Sequence, residues 1–330
     1  MKNIFKLGFG PMSIDIVKSI GSYSLKRNYP LMIIASRNQI DVDSGYVMNT
    51  QDLQMAVSFY KNNNLLICRD HCGPYFLDSE KSLNEKQAIE ATKKTIAKDI
   101  EQGFDLIHID TSRCSSGYVT AEELIKFCLD LNKNILFEFG TEENIGVAAG
   151  IQKYKDDVTF AKQFKNMKFV VAQTGSLVVE NRQGGSFDFN AVTELVAFAN
   201  DAGVGLKEHN ADYLTAEQIQ LRKSAGVHAM NIAPQLGVIQ TILIKKLCND
   251  YNLLADWEEF SNEVLKSEKW KKWNIDSNSE GKVVMAGHYL FQHPSYFNLI
   301  KKLDHIVNWR KLLDDEIFNL IDLYKNNLEE

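Results

Sequence analysis

The chain is poor in several features that would settle its class at once. Its 330 residues include only 5 prolines and 5 cysteines. The cysteines (Cys68, Cys72, Cys114, Cys128, Cys248) are odd in number and widely scattered, which argues against a disulfide framework. Cys68-x-x-x-Cys72 has no second pair to complete a zinc ribbon, so all five read as free thiols in a reducing compartment. No apolar run approaches the roughly 20 residues that span a bilayer. The opening MKNIFKLGFGPMSIDIV is broken by glycine and proline before a signal-peptide core can form. A cytoplasmic protein with no membrane association is expected. Positive charge is not in excess: 37 Lys and Arg stand against 43 Asp and Glu, a net charge of −6. That balance speaks against a nucleic-acid partner, though not against a small anionic substrate held by local groups. Low-complexity tracts and short tandem repeats are also missing.

What is present is a recurring unit. Short apolar runs fall at 4–10, 31–36, 65–70, 105–110, 134–140, 168–175, 203–210 and 227–234. Most show little alternation, as strands buried on both faces do. Amphipathic stretches lie between them: 88–103, 120–133, 188–203, 215–226 and 235–250, several ending on glycine. Thr120-x-x-Glu123 has the form of a capping box and predicts a helix start there. The runs begin roughly 25 to 40 residues apart, the length of a strand plus a crossover helix. Eight such units predict an α/β fold, a (β/α)8 TIM barrel over residues 1–250. An open doubly wound sheet is the alternative, but the first turn, GFGPMS, lacks the three-glycine dinucleotide fingerprint. Residues 251–330 carry helical patterns only and predict a C-terminal helical extension, placed to cap the barrel, form an oligomer interface or close over a site.

NLLICRDHCGPYF (64–76) raises the functional question, because an apolar run ends in Arg69, Asp70 and His71 in succession. Burying unpaired charge is costly, so a strand that only fills a core has no use for them. Barrel chemistry sits at the C-terminal strand ends. There the sequence places Ser36-Arg37-Asn38-Gln39, Asp70-His71, Asp110-Thr111-Ser112, Glu138 with Thr141-Glu142-Glu143, Gln173-Thr174, Glu208-His209-Asn210 and Asn231. His71 and His209 are natural metal ligands, and a carboxylate such as Glu142 can complete an open site. Asp70 is the proton carrier, with Glu142 a rival for that role. The competing reading has Asp70 and His71 merely bonding loop backbone. His108 and His228 lie inside their strands and read as core histidines. Cys72 and Cys114 follow strand ends without a base partner that would mark a nucleophile.

These stretches together resemble the GatZ/KbaZ-like family, the non-catalytic subunit of D-tagatose-1,6-bisphosphate aldolase, within the class II aldolase-type barrels. RDHCGP resembles its Asp-His-x-Gly-Pro turn, and GFDLIHIDTS its Gly-Phe-x-x-Ile-His-x-Asp-x-Ser segment. FGTEENIG, VVAQTG, LKEHNADYLT and ASRNQIDVDSGY resemble further elements, in order, from about residue 35 to 240. The resemblance implies a barrel acting on ketose phosphates, either as partner of a catalytic aldolase or as a metal-dependent C4 epimerase. It implies His71 and His209 as ligands of a divalent metal, Zn²⁺ first, with Mn²⁺ or another ion open, and Glu142 stays the carboxylate expected to complete the site. It implies Asp70 and Glu142 as acid/base residues. Substrate contacts are then expected from Arg37, Asn38, Gln39, Asp110, Gln173 and Asn231. The chain departs from class II aldolases at AQTGS, where they have a metal histidine, and at HNADY, where they bind phosphate through Gly-Gly-Ser. Without that turn, Arg37, Arg69, Arg113 or Lys207 is left to meet a phosphate or carboxylate, each with a structural ion pair as the alternative.

Two functions follow as expectations. One is a metal-dependent enzyme acting on a ketose or ketose phosphate by retro-aldol/aldol chemistry, as a C4 epimerase or a class II-type aldolase, in a homo-oligomer. The other is a non-catalytic subunit that stabilises a partner aldolase through its C-terminal helices.

Overall fold

The computed structural model describes residues 5–61, 64–140, 146–273 and 278–329. The eight apolar runs form eight parallel strands: β1 (Leu7–Phe9), β2 (Leu31–Ser36), β3 (Leu65–Cys72), β4 (Leu106–Ile109), β5 (Leu136–Phe139), β6 (Met167–Ala172), β7 (Gly205–Glu208) and β8 (Ala229–Ile232). Each pairs with its sequence neighbours, and β8 pairs back to β1 through Leu7 and Met230, so the sheet closes into a barrel with no edge. Eight helices follow the strands in turn: α1 (Ile14–Arg27), α2 (Thr50–Ser58), α3 (Glu85–Glu101), α4 (Gly117–Leu131), α5 (Ile151–Ala161), α6 (Phe189–Asp201), α7 (Ala216–Ala225) and α8 (Pro234–Asp250). The (β/α)8 barrel is therefore the fold. Short two-stranded ladders, at 40–41 with 48–49 and at 178–179 with 182–183, decorate the loops after β2 and β6.

Local signals set the helix ends. Capping boxes open α3 (Asn84 with Gln87) and α7 (Thr215 with Gln218), and Gly226, in the left-handed region, closes α7. The capping box expected at Thr120 and Glu123 is not there. Helix α4 starts at Gly117, Thr120 is already in its first turn, and Glu123 reaches Lys93 of α3 at 2.7 Å instead. The carboxylate finds a cation on the neighbouring helix rather than its own N-terminus.

Beyond α8 come α9 (Leu254–Lys266), α10 (Ser279–Ala286), α11 (Pro294–Asp304) and α12 (Trp309–Glu329). They share the barrel's core rather than standing apart from it, because Trp309, Ile317 and Tyr324 are fully buried in one continuous apolar cluster with the outer strand faces and α1. Helix α12 packs against α1, α7 and α8. Tyr324 donates its hydroxyl to the Ala211 carbonyl in the loop after β7 (2.5 Å), and Tyr23 of α1 donates to Asp322 (2.5 Å). Ser13 bonds Gln240, which bonds Tyr296 of α11, tying the first loop at the mouth to the extension. Among the described residues, no helix is long and apolar enough to cross a membrane.

Candidate functional site

In a strand, successive side chains point to opposite faces. That alternation sorts the charges. Lys207 and His209 face into the barrel, while Glu208 between them faces out and pairs with Arg222 of α7 at 2.6 Å. Glu208, expected at the mouth, is thus a strand-to-helix clamp. Leu106, His108 and Asp110 share the inward face of β4, and Glu138 projects inward from β5.

Asp70 and His71 are adjacent, and regular pleating would send them to opposite faces. They escape this because the β3–β4 register shifts between Arg69 and Cys72, and His71 takes a left-handed conformation (φ 46°). Such a bulge re-aims side chains at a cost of about 1–3 kcal/mol, which the surroundings must offset. Gly73 makes room for it, since a Cβ there would meet the Asp110 carbonyl oxygen at 1.5 Å. Arg69 keeps the outward direction and lies bidentate on Asp99 of α3, at 2.6 and 2.7 Å. Of the three ionisable residues that end the strand, one fastens a helix and two reach the mouth.

There they join a dense cluster. The rings of His71, His108 and His209 stand 5.1–5.4 Å apart. His71 Nδ1 lies 2.7 Å from Asp110, and His209 Nε2 lies 2.7 Å from Glu138. Lys207 Nζ donates to the other Glu138 oxygen at 2.5 Å. His108 Nδ1 sits 3.2 Å from both Asp70 Oδ1 and the His71 backbone nitrogen, and its Nε2 is buried with no partner among the described residues. Cavity-facing Gly140 sits beside that nitrogen, where a Cβ would press on Val171 at 2.7 Å.

The electrostatics follow from burial and neighbours. Burial would raise the Glu138 carboxyl, but the Lys207 ammonium and the imidazoles of His108 and His209 overcome it and hold it at about 2. Burial opposes ionisation of Asp70 as well, and His71, His209 and His108 drive it well below the usual carboxylate range. His71 is lowered by burial yet raised more by Asp70 and Asp110, to about 9. His209 is pushed down by burial, which favours the neutral ring donating Nε2–H to Glu138. The site concentrates three carboxylates, Asp70, Asp110 and Glu138, against the Lys207 ammonium and the His71 imidazolium.

Such a donor set can hold a cation. One ligand atom each from Asp70, His108, Glu138 and His209 lies within 4.8 Å of the others, as does a second group from His71, His108 and Asp110. Imidazole with carboxylate suits Zn²⁺, Mn²⁺ and similar ions. The unpartnered His108 Nε2 and the acidic balance both fit a bound divalent ion.

The cluster opens into a cavity of about 390 Å³, lined also by Asn38, Phe76, Ser112, Arg113, Gln173 and Asn210. Of the expected substrate contacts, Asp110, Asn38 and Gln173 line it. Arg37 lines it too, but its guanidinium is engaged by Glu80 at 2.6 and 3.1 Å and by the Gly73 carbonyl. Gln39 is turned into its own loop, accepting from the Ser36 N–H and donating to Met12 Sδ, and does not line the cavity. Asn231 is buried in the barrel interior beside Gly8, also off the lining. Glu142, expected as ligand and base, lies outside the described residues. The sequence reading set His108 aside as a core histidine and gave Glu138 and Lys207 no role in the cluster. Parity was the available signal, because His108 is two residues from Asp110 and Lys207 two from His209.

Residues 14–124 match the family described as D-tagatose-1,6-bisphosphate aldolase subunit GatZ/KbaZ-like. Among curated proteins none matches by sequence. In shape the chain is similar to a probable tagatose 6 phosphate kinase from Sinorhizobium meliloti 1021, with TM-score 0.83 and 17% identity, covering 98% of this chain and 100% of that one. It is similar to the fructuronate-tagaturonate epimerase of Cohnella laeviribosi, with TM-score 0.62 and 10% identity over 98% and 82% of the two chains. It is also similar to a fructose-bisphosphate aldolase from Campylobacter jejuni, with TM-score 0.57 and 13% identity over 98% and 90%. In fold the chain thus stands with aldolase- and epimerase-type barrels, and over residues 14–124 its sequence carries the pattern of the GatZ/KbaZ-like aldolase-subunit family.

Proposed function

We propose that the protein is a metal-dependent carbohydrate enzyme that makes or breaks the C3–C4 bond of a ketose or ketose phosphate, as a C4 epimerase or a class II-type aldolase. The observation that carries this is the clustering of Asp70 and Glu138 with His108 and His209, beside His71, where the three imidazoles line one cavity at the barrel mouth. A scaffold has no use for so many buried ionisable groups with an orphaned nitrogen among them.

His71, His108 and His209, with a carboxylate from Asp70 or Glu138, would hold the ion. When bound, a divalent cation supplies Lewis-acid polarisation of the ketose carbonyl and acidifies a neighbouring hydroxyl. The chain's own groups do the rest. Asp70, kept ionised by three imidazoles, takes the proton from the C4 hydroxyl. So low a carboxyl is a weak base, so this transfer depends on that hydroxyl being acidified. The O–H electrons form the aldehyde C=O, and the C3–C4 bonding pair passes into the carbonyl as an enediolate. Release of the aldehyde makes the reaction an aldol cleavage. Rotation of the aldehyde and recombination on its other face, with Asp70 returning the proton, makes it an epimerisation.

The decisive experiment is elemental mass spectrometry on the purified chain and on His71→Ala, His108→Ala and His209→Ala, followed by a screen of ketoses and ketose phosphates for epimerisation and cleavage. About one transition metal per chain, lost in the variants, with turnover of one ketose class, is the expected result. A wild type that takes up no Zn²⁺ or Mn²⁺ and turns over nothing overturns it. The second reading, a non-catalytic subunit of an aldolase, is favoured by the description of the family matched at residues 14–124. It predicts a stable hetero-complex whose activity is unchanged by the three alanine variants.

A further inference from the structure

Four cations lie near the mouth in sequence, and the structure commits three of them. Arg37 is held by Glu80, Arg69 by Asp99 and Lys207 by Glu138, each nearly or wholly buried with its carboxylate. None can turn to a ligand without leaving a buried carboxylate unpaired.

Arg113, in the loop after β4, is built differently. It is exposed, lines the cavity and has no carboxylate partner among the described residues. It is nonetheless fixed in place. Its guanidinium lies 4.3 Å from the centre of the Phe76 ring, and Nη1 donates to the Tyr75 carbonyl at 2.9 Å. Phe76 stacks in turn on the His71 ring, with centroids 5.5 Å apart and planes 18° from parallel. A column of three flat groups therefore runs from the rim to the cluster. A guanidinium seated on an aromatic face with one edge already bonded loses little freedom when its other edge takes a bidentate anion.

We infer that Arg113 is the anion contact of this site and binds a single charged terminus, phosphate or carboxylate, of an open-chain sugar whose uncharged end reaches the imidazole–carboxylate cluster. The inference rests on the proposed reading of the cluster as a sugar site. Among the described residues Arg113 is the one guanidinium or ammonium lining the cavity that no carboxylate holds, so a singly charged ketose is preferred to a bisphosphate.

Isothermal titration of the wild type, Arg113→Gln and Arg113→Lys tests this, with inorganic phosphate, an uncharged ketohexose, a ketohexose 6-phosphate, a hexuronate ketose and a ketohexose 1,6-bisphosphate as probes. The wild type binds the 6-phosphate or the hexuronate more tightly than the bisphosphate, and which of the two is tighter names the terminus. Arg113→Gln weakens the singly charged ligands by roughly 10- to 100-fold, the weight of a charge-assisted contact, leaves the uncharged sugar unchanged, and Arg113→Lys recovers part of the loss. Equal binding of charged sugars by wild type and Arg113→Gln, or tightest binding of the bisphosphate, overturns the inference. The titration needs no turnover. Arg113-dependent binding without activity on any ketose would leave this inference standing and overturn the proposed reaction. Turnover with an unchanged KM in Arg113→Gln would do the reverse.

Discussion

The barrel strands carry buried charge on both faces, and the two sets are assembled on different principles. On the outer face each charge has one ionic partner. Arg69 lies bidentate on Asp99 and also donates to the Ala35 and Ile40 carbonyls, and Arg222 closes on one Glu208 oxygen, the other being buried without a partner among the described residues. On the inner face the charges are shared. His71 lies between Asp70 and Asp110, Glu138 between Lys207 and His209, and His108 keeps a nitrogen with no partner among the described residues. Closed pairs fasten helices to strands. An open, net-acidic cluster beside a cavity has affinity left over for something that arrives. Asp212 is a third case, a carboxylate with no cation partner among the described residues. Its Oδ1 accepts from the Ala233 and Gln235 N–H groups at the start of α8, its Oδ2 is buried with no partner among those residues, and burial pushes it up to about 7.

The contrast can be tested by breaking each kind of charge. The largest effect is expected from the outer face. Arg69→Met leaves Asp99 buried and unpaired, and urea unfolding should show a loss of about 3–5 kcal/mol, which added Zn²⁺ or Mn²⁺ does not restore. Recovery of most of that loss in Arg69→Met/Asp99→Leu would show that the pair itself, not its packing, was at stake. On the inner face, Lys207→Met strands Glu138. The loss should be smaller, on the order of 1–3 kcal/mol for an unsatisfied buried acceptor, and here divalent cation should restore it. A Lys207→Met protein indifferent to metal would mean that the inner cluster is as closed as the outer pairs. The effect at Asp212 is one of pH. Its folded pKa lies above its unfolded one, about 4, so its protonated form stabilises the fold at low pH. That contribution is lost as pH rises from about 4 to about 7, at no more than about 1.4 kcal/mol per pH unit. Asp212→Asn should flatten this decline in a urea-midpoint series, and an unchanged slope would place the titration elsewhere.

The site was partly legible in the sequence. The run of Arg69, Asp70 and His71 at a strand end announced it, and Asp110, Gln173 and His209 fell at the ends of other strands, where a barrel brings them together. Arg37 and Glu208 misled because position along a strand gives the layer and not the partner. Arg37 meets Glu80, 43 residues away, and Glu208 meets Arg222, 14 away, and neither pairing has a local signature. His108 was read as core because a histidine inside an apolar run usually is. Only its neighbours, Asp70 at 3.2 Å and Glu138 at 4.0 Å, show otherwise.

By itself the sequence determined the barrel and its order. Eight doubly buried apolar runs at crossover spacing leave few ways to satisfy strand backbones without an edge, and all eight became strands where the runs lie. Local chemistry fixed several helix ends, at Asn84, Thr215 and Gly226. What only the tertiary structure decided is which charges face a cavity and which face a helix. Pleating assigns alternate residues to opposite faces, but the bulge that turns Asp70 and His71 inward together depends on β4 pressing against β3 and on Gly73 lying under the Asp110 carbonyl. Those contacts join residues distant in sequence, and their energy exists only once the barrel has closed.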